Sequence, residues 1–325
     1  MIEKLAIIGT GLIGGSLARA LRRAEAVNEI VGFGRSLNNM KLAVESGVVD
    51  RAEVSLARAV EGADMVVLAT PVAAMQETLA ALGPLVTENM VITDVGSVKV
   101  PIMEAAYEAF DDLFGRFVPG HPIAGKECSG VRHADADLFE GNRVILCPES
   151  DTDDDAVDAV REMWDIVGAD VVFMSGRRHD AILAASSHLP HVLSYALVDN
   201  LVRRDEHREI FKYSAGGFRD FTRIAGSDPE MWRDICLANR KEILECLESY
   251  RDDLGLLMDA IEAGDGEQLL ETFERARHAR DVFIKDNDED LDDEYLDEDD
   301  LEEDYEDEYD DEDEDWEEDT DEDRR

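Results

Sequence analysis

The chain has 325 residues, 44% of them apolar, enough to bury a sizeable core and to form two domains. Its net charge of −46 is unevenly spread: residues 286–325 hold 29 acidic and 2 basic side chains, and residues 1–285 hold the other 49 acids and 30 bases. Acidity in both parts excludes nucleic acid as a partner, because phosphate binding needs clustered Lys and Arg.

Leu5–Ile8 is a short apolar run that reads as a buried strand, and Leu12–Ala24 has helical periodicity. Glu29–Phe33 reads as a strand and Asn39–Glu45 as a helix. Met65–Ala69 is a third strand, closed by Thr70 and Pro71, with a helix running on to Leu85. Met90–Asp94 is a fourth, followed by a helix around Ile102–Phe110. Phe117 and Val118 lead into the stretch GHPIAGKECSG, Gly120–Gly130, which is too broken for a helix or strand interior and reads as a rigid loop. Arg143–Cys147 and Val171–Phe173 are further strands, separated by a helix around Ala156–Val167. Strands alternating with helices predict an α/β domain over 1–174, with a mostly parallel, doubly wound sheet of the dinucleotide-binding (Rossmann) type. After Ser175 only helical periods remain, about Arg177–Val202, Pro229–Ala263 and Glu267–Ile284. These predict an all-α domain over 175–285. From 286 the chain is highly charged and poor in apolar residues, which predicts a disordered acidic tail whose partner the sequence does not name.

Cys128, Cys147, Cys236 and Cys246 form no CxxC pair and read as reduced thiols of a cytoplasmic protein. No unbroken apolar run of about 18 residues occurs, so no membrane association is expected.

GTGLIGG matches G-x-G-x-x-G at Gly9, Gly11 and Gly14, directly after a predicted strand and at the opening of a helix. Gly9 allows the tight turn, Gly11 lets backbone approach a pyrophosphate, and Gly14 allows close helix–sheet packing. Leu12 and Ile13 start the helix whose free N–H groups would face the phosphates. Thr70 and Pro71 close the third predicted strand as further cofactor contacts. Where an acid normally binds the adenosine ribose, this chain has Gly34, Arg35 and Ser36. Arg35 and Ser36 suit a 2′-phosphate, so NADP is expected beside NAD; the alternative is that Arg35 stacks on adenine and NAD is preferred.

Five stretches together resemble the prephenate dehydrogenases and the related arogenate dehydrogenases. They are GTGLIGGS, DVGSVK (Asp94–Lys99), GHPIAGKECSG, SHLPH (Ser187–His191) and GGFRDFTRIAGSDPEMW (Gly216–Trp232). The resemblance covers about residues 1–285. It implies NAD(P)-dependent oxidative decarboxylation of prephenate to 4-hydroxyphenylpyruvate, a step toward tyrosine. It implies His121 as the catalytic base and Ser97 as its partner on the substrate hydroxyl; Lys99 is read as support for that turn. Arg223 and His191 would bind substrate, Glu127 would guard its entrance, and Gly216 would let backbone approach it. The family's tryptophan, Trp232 here, approaches the active site of the partner subunit. His188 reads as structural. His188 and His191 lack further ligands, so no metal is expected. The family forms homodimers through its helical domain, in keeping with broad apolar faces at Ile243, Leu247, Leu254, Leu257, Met258 and Ile261. No ACT-type pattern follows Ile284, and no chorismate mutase domain is expected. Arogenate dehydrogenase remains an alternative, as does a non-catalytic NAD(P)-binding sensor. A β-hydroxyacid dehydrogenase would place a lysine on the long helix, and none lies between Lys126 and Lys212.

Overall fold

The computed structural model describes residues 1–126, 128 and 130–283. The strands are β1 (Ile2–Ile8), β2 (Val27–Phe33), β3 (Arg51–Glu53), β4 (Met65–Leu68), β5 (Val91–Asp94), β6 (Phe117–Val118), β7 (Gly120–Pro122), β8 (Arg143–Leu146) and β9 (Asp170–Phe173). The helices between them are α1 (Leu12–Arg23), α2 (Leu37–Glu45), α3 (Leu56–Val60), α4 (Val72–Leu82), α5 (Val100–Phe110) and α6 (Asp154–Ile166). After β9 come α7 (Gly176–Leu183), α8 (Leu189–Val202), α9 (His207–Lys212), α10 (Gly216–Thr222), α11 (Pro229–Ala238), α12 (Arg240–Ala263) and α13 (Gly266–Phe283).

β1 to β6 form an all-parallel sheet in the order β3-β2-β1-β4-β5-β6. The order reverses between β1 and β4, which makes a crevice at their carboxyl ends. Both faces of this sheet are covered. Leu5 and Ile7 of β1 enter one core cluster with Leu17, Leu21 and Trp164, whereas Ala6 and Ile8 enter the opposite one with Met75, Leu79 and Ile102. That two-sided burial explains why β1 reads as a continuous apolar run instead of an alternating one.

β7, β8 and β9 form a second, mixed sheet, with β7 antiparallel to β8. The expectation that Gly120–Pro122 is loop is therefore corrected. His121 pairs with Ile145 in a three-residue edge strand, where proline is tolerated because an edge strand leaves one side of its backbone unpaired. β3 and α3, absent from the sequence reading, are short. β3 is a polar edge strand held by Arg51, which bridges Glu29 and Glu53.

The described chain divides into two compact units, Met1–Asp252 and the segment from Asp253. In the first, Trp232 and Ile235 of α11 join the core cluster of α4 and α5, so this helical part packs directly on the sheet's own layer. The period expected over Pro229–Ala263 is two helices, parted at the buried Asn239. In the second unit α13 follows the end of α12 after a turn at Gly264, which has φ +68°.

The run Gly176–Val202 is long and apolar enough, by length and composition, to cross a membrane, contrary to expectation. It nevertheless carries the buried His179, Asp180 and His188, each hydrogen-bonded to other parts of the chain. Such internal bonding marks a helix of a protein interior. Where Pro190 was expected to kink this run, a π turn over Ala184–His188 joins α7 to α8, and Pro190 sits in the first turn of α8. There its missing N–H costs little.

Candidate active site

The glycine turn is built by exclusion. Gly9 has φ +109°, and a Cβ there would stand 2.4 Å from the Ala69 carbonyl oxygen at the end of β4. A Cβ on Gly14 would stand 2.3 Å from the Gly9 carbonyl oxygen. Only glycine lets β1, β4 and α1 meet this closely. Gly11 differs: a Cβ there meets nothing within 4 Å, because the residue faces an open cleft. It is also the N-cap of α1 and offers no side-chain cap, so the helix presents free N–H groups and the positive end of its dipole.

The cleft has a volume of about 380 Å³. Gly9, Gly11, Gly34, Arg35, Ser36, Thr70 and Pro71 line it. Gly14 stands behind this wall, and Leu12 and Ile13 pack their side chains against the core, leaving backbone as their contribution. Thr10 was missed. It is 6% exposed, lines the cleft, and its Oγ1 is buried without a hydrogen-bond partner. An orphaned hydroxyl in a glycine cradle beside an uncapped helix fits a bound dinucleotide. The hydroxyl in the middle of G-T-G was the available signal.

The second part of the site is a network of buried side chains. Asp94 ends β5 and is fully buried with Lys99. Lys99 Nζ donates to Asp94 Oδ2 and to the Gly120 carbonyl, each at 2.5 Å, and Gly120 N–H donates to Asp94 Oδ1 at 3.1 Å. The start of β7 is thereby fixed at the carboxyl end of β5. Lys99 is more than the turn support it was expected to be, since from the N-terminus of α5 it ties the end of β5 to the start of β7.

His121 is 9% exposed. Its Nδ1 lies 2.8 Å from His179 Nε2, and His179 Nδ1 lies 2.8 Å from Asp180 Oδ1. Asp180 also caps α5 from another element, because its oxygens accept the N–H groups of Lys99 (2.7 Å) and Val100 (2.9 Å). The proton positions follow from this geometry. The Asp180 carboxylate can only accept, so His179 Nδ1 donates and Nε2 accepts. His121 Nδ1 must then donate, which leaves Nε2 with the lone pair. Burial, first, and then the neighbouring His179, Lys99 and His188 hold His121 well below the usual histidine pKa, so its ring is neutral near pH 7. Burial also lowers His179, opposed by Asp180.

Sequence reading missed His179 and Asp180. Their only trace is the pair HD in RRHD, 58 residues from His121. The bond that orients the His121 ring comes from His179. Ser97 sits half-buried in the turn after β5, and its backbone hydrogen-bonds His188. Ser97 is not the N-cap of α5; Lys99 is.

His188 and His191 diverge in role. His188 is buried, lies 3.1 Å from Asn239 Nδ2, and is lowered to about 4, chiefly by burial. Asn239 also donates to the Asp180 carbonyl at 2.8 Å, so the α11–α12 junction is bonded to the same network. His191 stacks on Trp232, ring centroids 3.6 Å apart and 19° from parallel, with Nδ1 2.9 Å from the Ser187 carbonyl. Trp232 therefore lies against its own chain's histidine, and its buried Nε1–H has no partner. Arg223 begins the turn after α10, and His191 is lowered first by burial and then by the Arg223 charge. Gly216 opens α10 and is exposed; a Cβ there would meet nothing within 4 Å, so packing does not require glycine. Among the described residues, no group of three His, Cys, Asp or Glu could hold a metal ion. Glu127 and the acidic tail lie outside the described residues.

Residues 17–173 match the family model described as prephenate dehydrogenase, nucleotide-binding domain, and residues 175–275 match prephenate dehydrogenase, dimerization domain. The cyclohexadienyl dehydrogenase of Zymomonas mobilis is 35% identical over 292 residues, 89% of this chain and 98% of that one. The prephenate dehydrogenase of Bacillus subtilis is 35% identical over 285 residues, 86% of this chain and 76% of the other. Among solved structures, prephenate dehydrogenase from Aquifex aeolicus, in complex with hydroxyphenyl propionate and NAD+, has a TM-score of 0.81 at 37% identity, covering 86% of this chain and 98% of that one.

Proposed function

The chain belongs to the prephenate dehydrogenase family, and from that premise we propose how its residues carry out the oxidative decarboxylation of prephenate to 4-hydroxyphenylpyruvate. The His121–His179–Asp180 chain is the observation that carries this reading. Gly9, Gly11 and the N-terminus of α1 would hold NAD or NADP in the cleft at the β1–β4 crevice, where the bound nicotinamide would supply the hydride acceptor for the ring carbon that bears the hydroxyl. His121 Nε2 takes the hydroxyl proton as the carbon–oxygen bond gains double-bond character. The proton returns to the same oxygen once loss of CO2 makes the ring aromatic. While His121 is protonated, its Nδ1–H donates to His179, and Asp180 stabilises the charge through His179 without leaving its capping position. Ser97, half-buried beside this network, donates to the substrate hydroxyl.

Prephenate is a dianion, and Arg223 with His191 supplies its carboxylate contacts; Trp232 Nε1–H, unpaired in the protein, is an additional donor. Gly216 and Glu127 belong to the same substrate side. Residues 1–174 form the cofactor domain, which also supplies Ser97, His121 and Glu127, and residues 175–285 add Arg223, His191, Gly216 and Trp232 to the substrate side. The exposed Leu244, Leu254, Leu256, Met258, Ile261 and Phe273 of the helical part are covered in a homodimer. The four unpaired cysteines suit the reducing cytoplasm. The test is reduced-cofactor formation from prephenate, with arogenate in parallel: turnover that His121→Asn abolishes supports the mechanism, and turnover that survives it removes His121 as the base.

A further inference from the structure

The wall of the cofactor cleft at the end of β2 differs from one built for an unsubstituted ribose. β2 ends at Phe33, and the next three residues, Gly34, Arg35 and Ser36, all line the cleft. None carries a negative charge. The carboxylate among the cleft residues is Glu77, which belongs to α4. Arg35 is exposed at the rim and forms no ion pair with any described residue. Ser36 Oγ accepts the Asn39 N–H at 3.3 Å, which leaves its own O–H free to donate. A side chain at Gly34 would begin 2.9 Å from Met40 Cε, the mobile end of a flexible side chain, so the position an acid would take is vacant yet can be refilled. The buried, unpartnered Thr10 hydroxyl lines the same cleft and independently marks it as a ligand site.

We infer that Gly34, Arg35 and Ser36 form a subsite for the 2′-phosphate of NADP, with Arg35 as the residue that sets cofactor preference. A guanidinium and a hydroxyl donate to the phosphate, and the absence of a carboxylate at these three positions removes the repulsion that would reject it. The inference rests on the cofactor reading proposed above and deepens it.

The test uses the full chain and calorimetry, with adenosine 2′,5′-bisphosphate against 5′-AMP. Charge-assisted bonds to the added phosphate predict binding of the bisphosphate tighter by about tenfold or more. Arg35→Ala should bring the ratio of the two affinities toward one, and Gly34→Asp should reverse it by placing a carboxylate against the phosphate. A wild-type ratio at or below one overturns the inference while leaving the cofactor reading intact. So does an Arg35→Ala variant that loses both ligands equally, because Arg35 then stacks on adenine. Failure of both ligands to bind the wild-type chain overturns the cofactor reading and this subsite with it.

Discussion

The two halves of the site are made in opposite ways. The cofactor cleft is made of backbone: three glycines, a helix end and one orphaned hydroxyl, contributed mostly by one turn between β1 and α1. The His121 centre is made of side chains. Asp94, Lys99, His121, His179, Asp180, His188 and Asn239 are drawn from six places in the chain and joined by buried hydrogen bonds. The backbone site tolerates no added atoms at Gly9 and Gly14, whereas a side-chain network tolerates no lost partners. Substitutions at the two should therefore fail differently, the first by steric exclusion and the second by unpaired charge.

The largest effect belongs to the base. His121→Asn should lower kcat by about 10³-fold or more with KM little changed, since general base catalysis supplies roughly 10²–10⁴; steady-state kinetics decide it. Asp180→Asn should lower kcat by about 10²-fold or more, because an amide no longer dictates the His179 tautomer, and through it that of His121. It should also lower Tm by weakening the α5 cap; an unchanged kcat with lower Tm would reduce Asp180 to a structural role. Lys99→Met leaves Asp94 charged and buried alone. The loss should be about 3–5 kcal/mol in denaturant unfolding, and a near-neutral result would show that the pair is replaceable. On the backbone side, Gly14→Ala should weaken NAD(P) binding through the clash with the Gly9 carbonyl while sparing the His121 network.

The most gradual effect is in pH. The folded-state values of His121, His179 and His188 all lie below the ordinary histidine value. Below about pH 6.5 the unfolded chain binds more protons than the folded one, so stability rises with pH through that window and is level above it. For His188, lowered to about 4, the cost on acidification from pH 7 to 4 is about 3 kcal/mol. The acid limb of kcat should likewise fall below pH 6.5. Calorimetric Tm and kcat measured from pH 4 to 8 check both; a stability maximum below pH 6 would contradict the buried, neutral histidines.

The same contrast governs what can be read from sequence. The glycine turn is legible because its requirements are local, with three glycines at fixed spacing after a strand. His121 is legible as a residue but not in its setting. The stretch GHP looks like loop because strand pairing with Ile145 lies 24 residues away and leaves no periodic trace in three residues. His179 and Asp180 are invisible because only folding brings α7 to the end of β5. Trp232 is legible as a residue, but its stack on His191 of its own chain is not, because that contact is set by where α11 lands on α8.

The π turn at Ala184–His188 makes the long helix a device of angular phase. Each helical residue advances the face by about 100°, so one extra residue held in a wider turn rotates everything beyond it relative to an uninterrupted helix. On an uninterrupted helix His179 and His191, 12 residues apart, would stand about 120° apart, and the extra residue brings their faces to within about 20°. Deleting one residue from the turn, such as Ser186, would remove no atom that touches substrate. It would reset the phase of α8, carry His191 away from Trp232 and leave the His121–His179–Asp180 chain intact. The resulting protein should keep its base and lose its grip on the substrate, raising KM more than it lowers kcat.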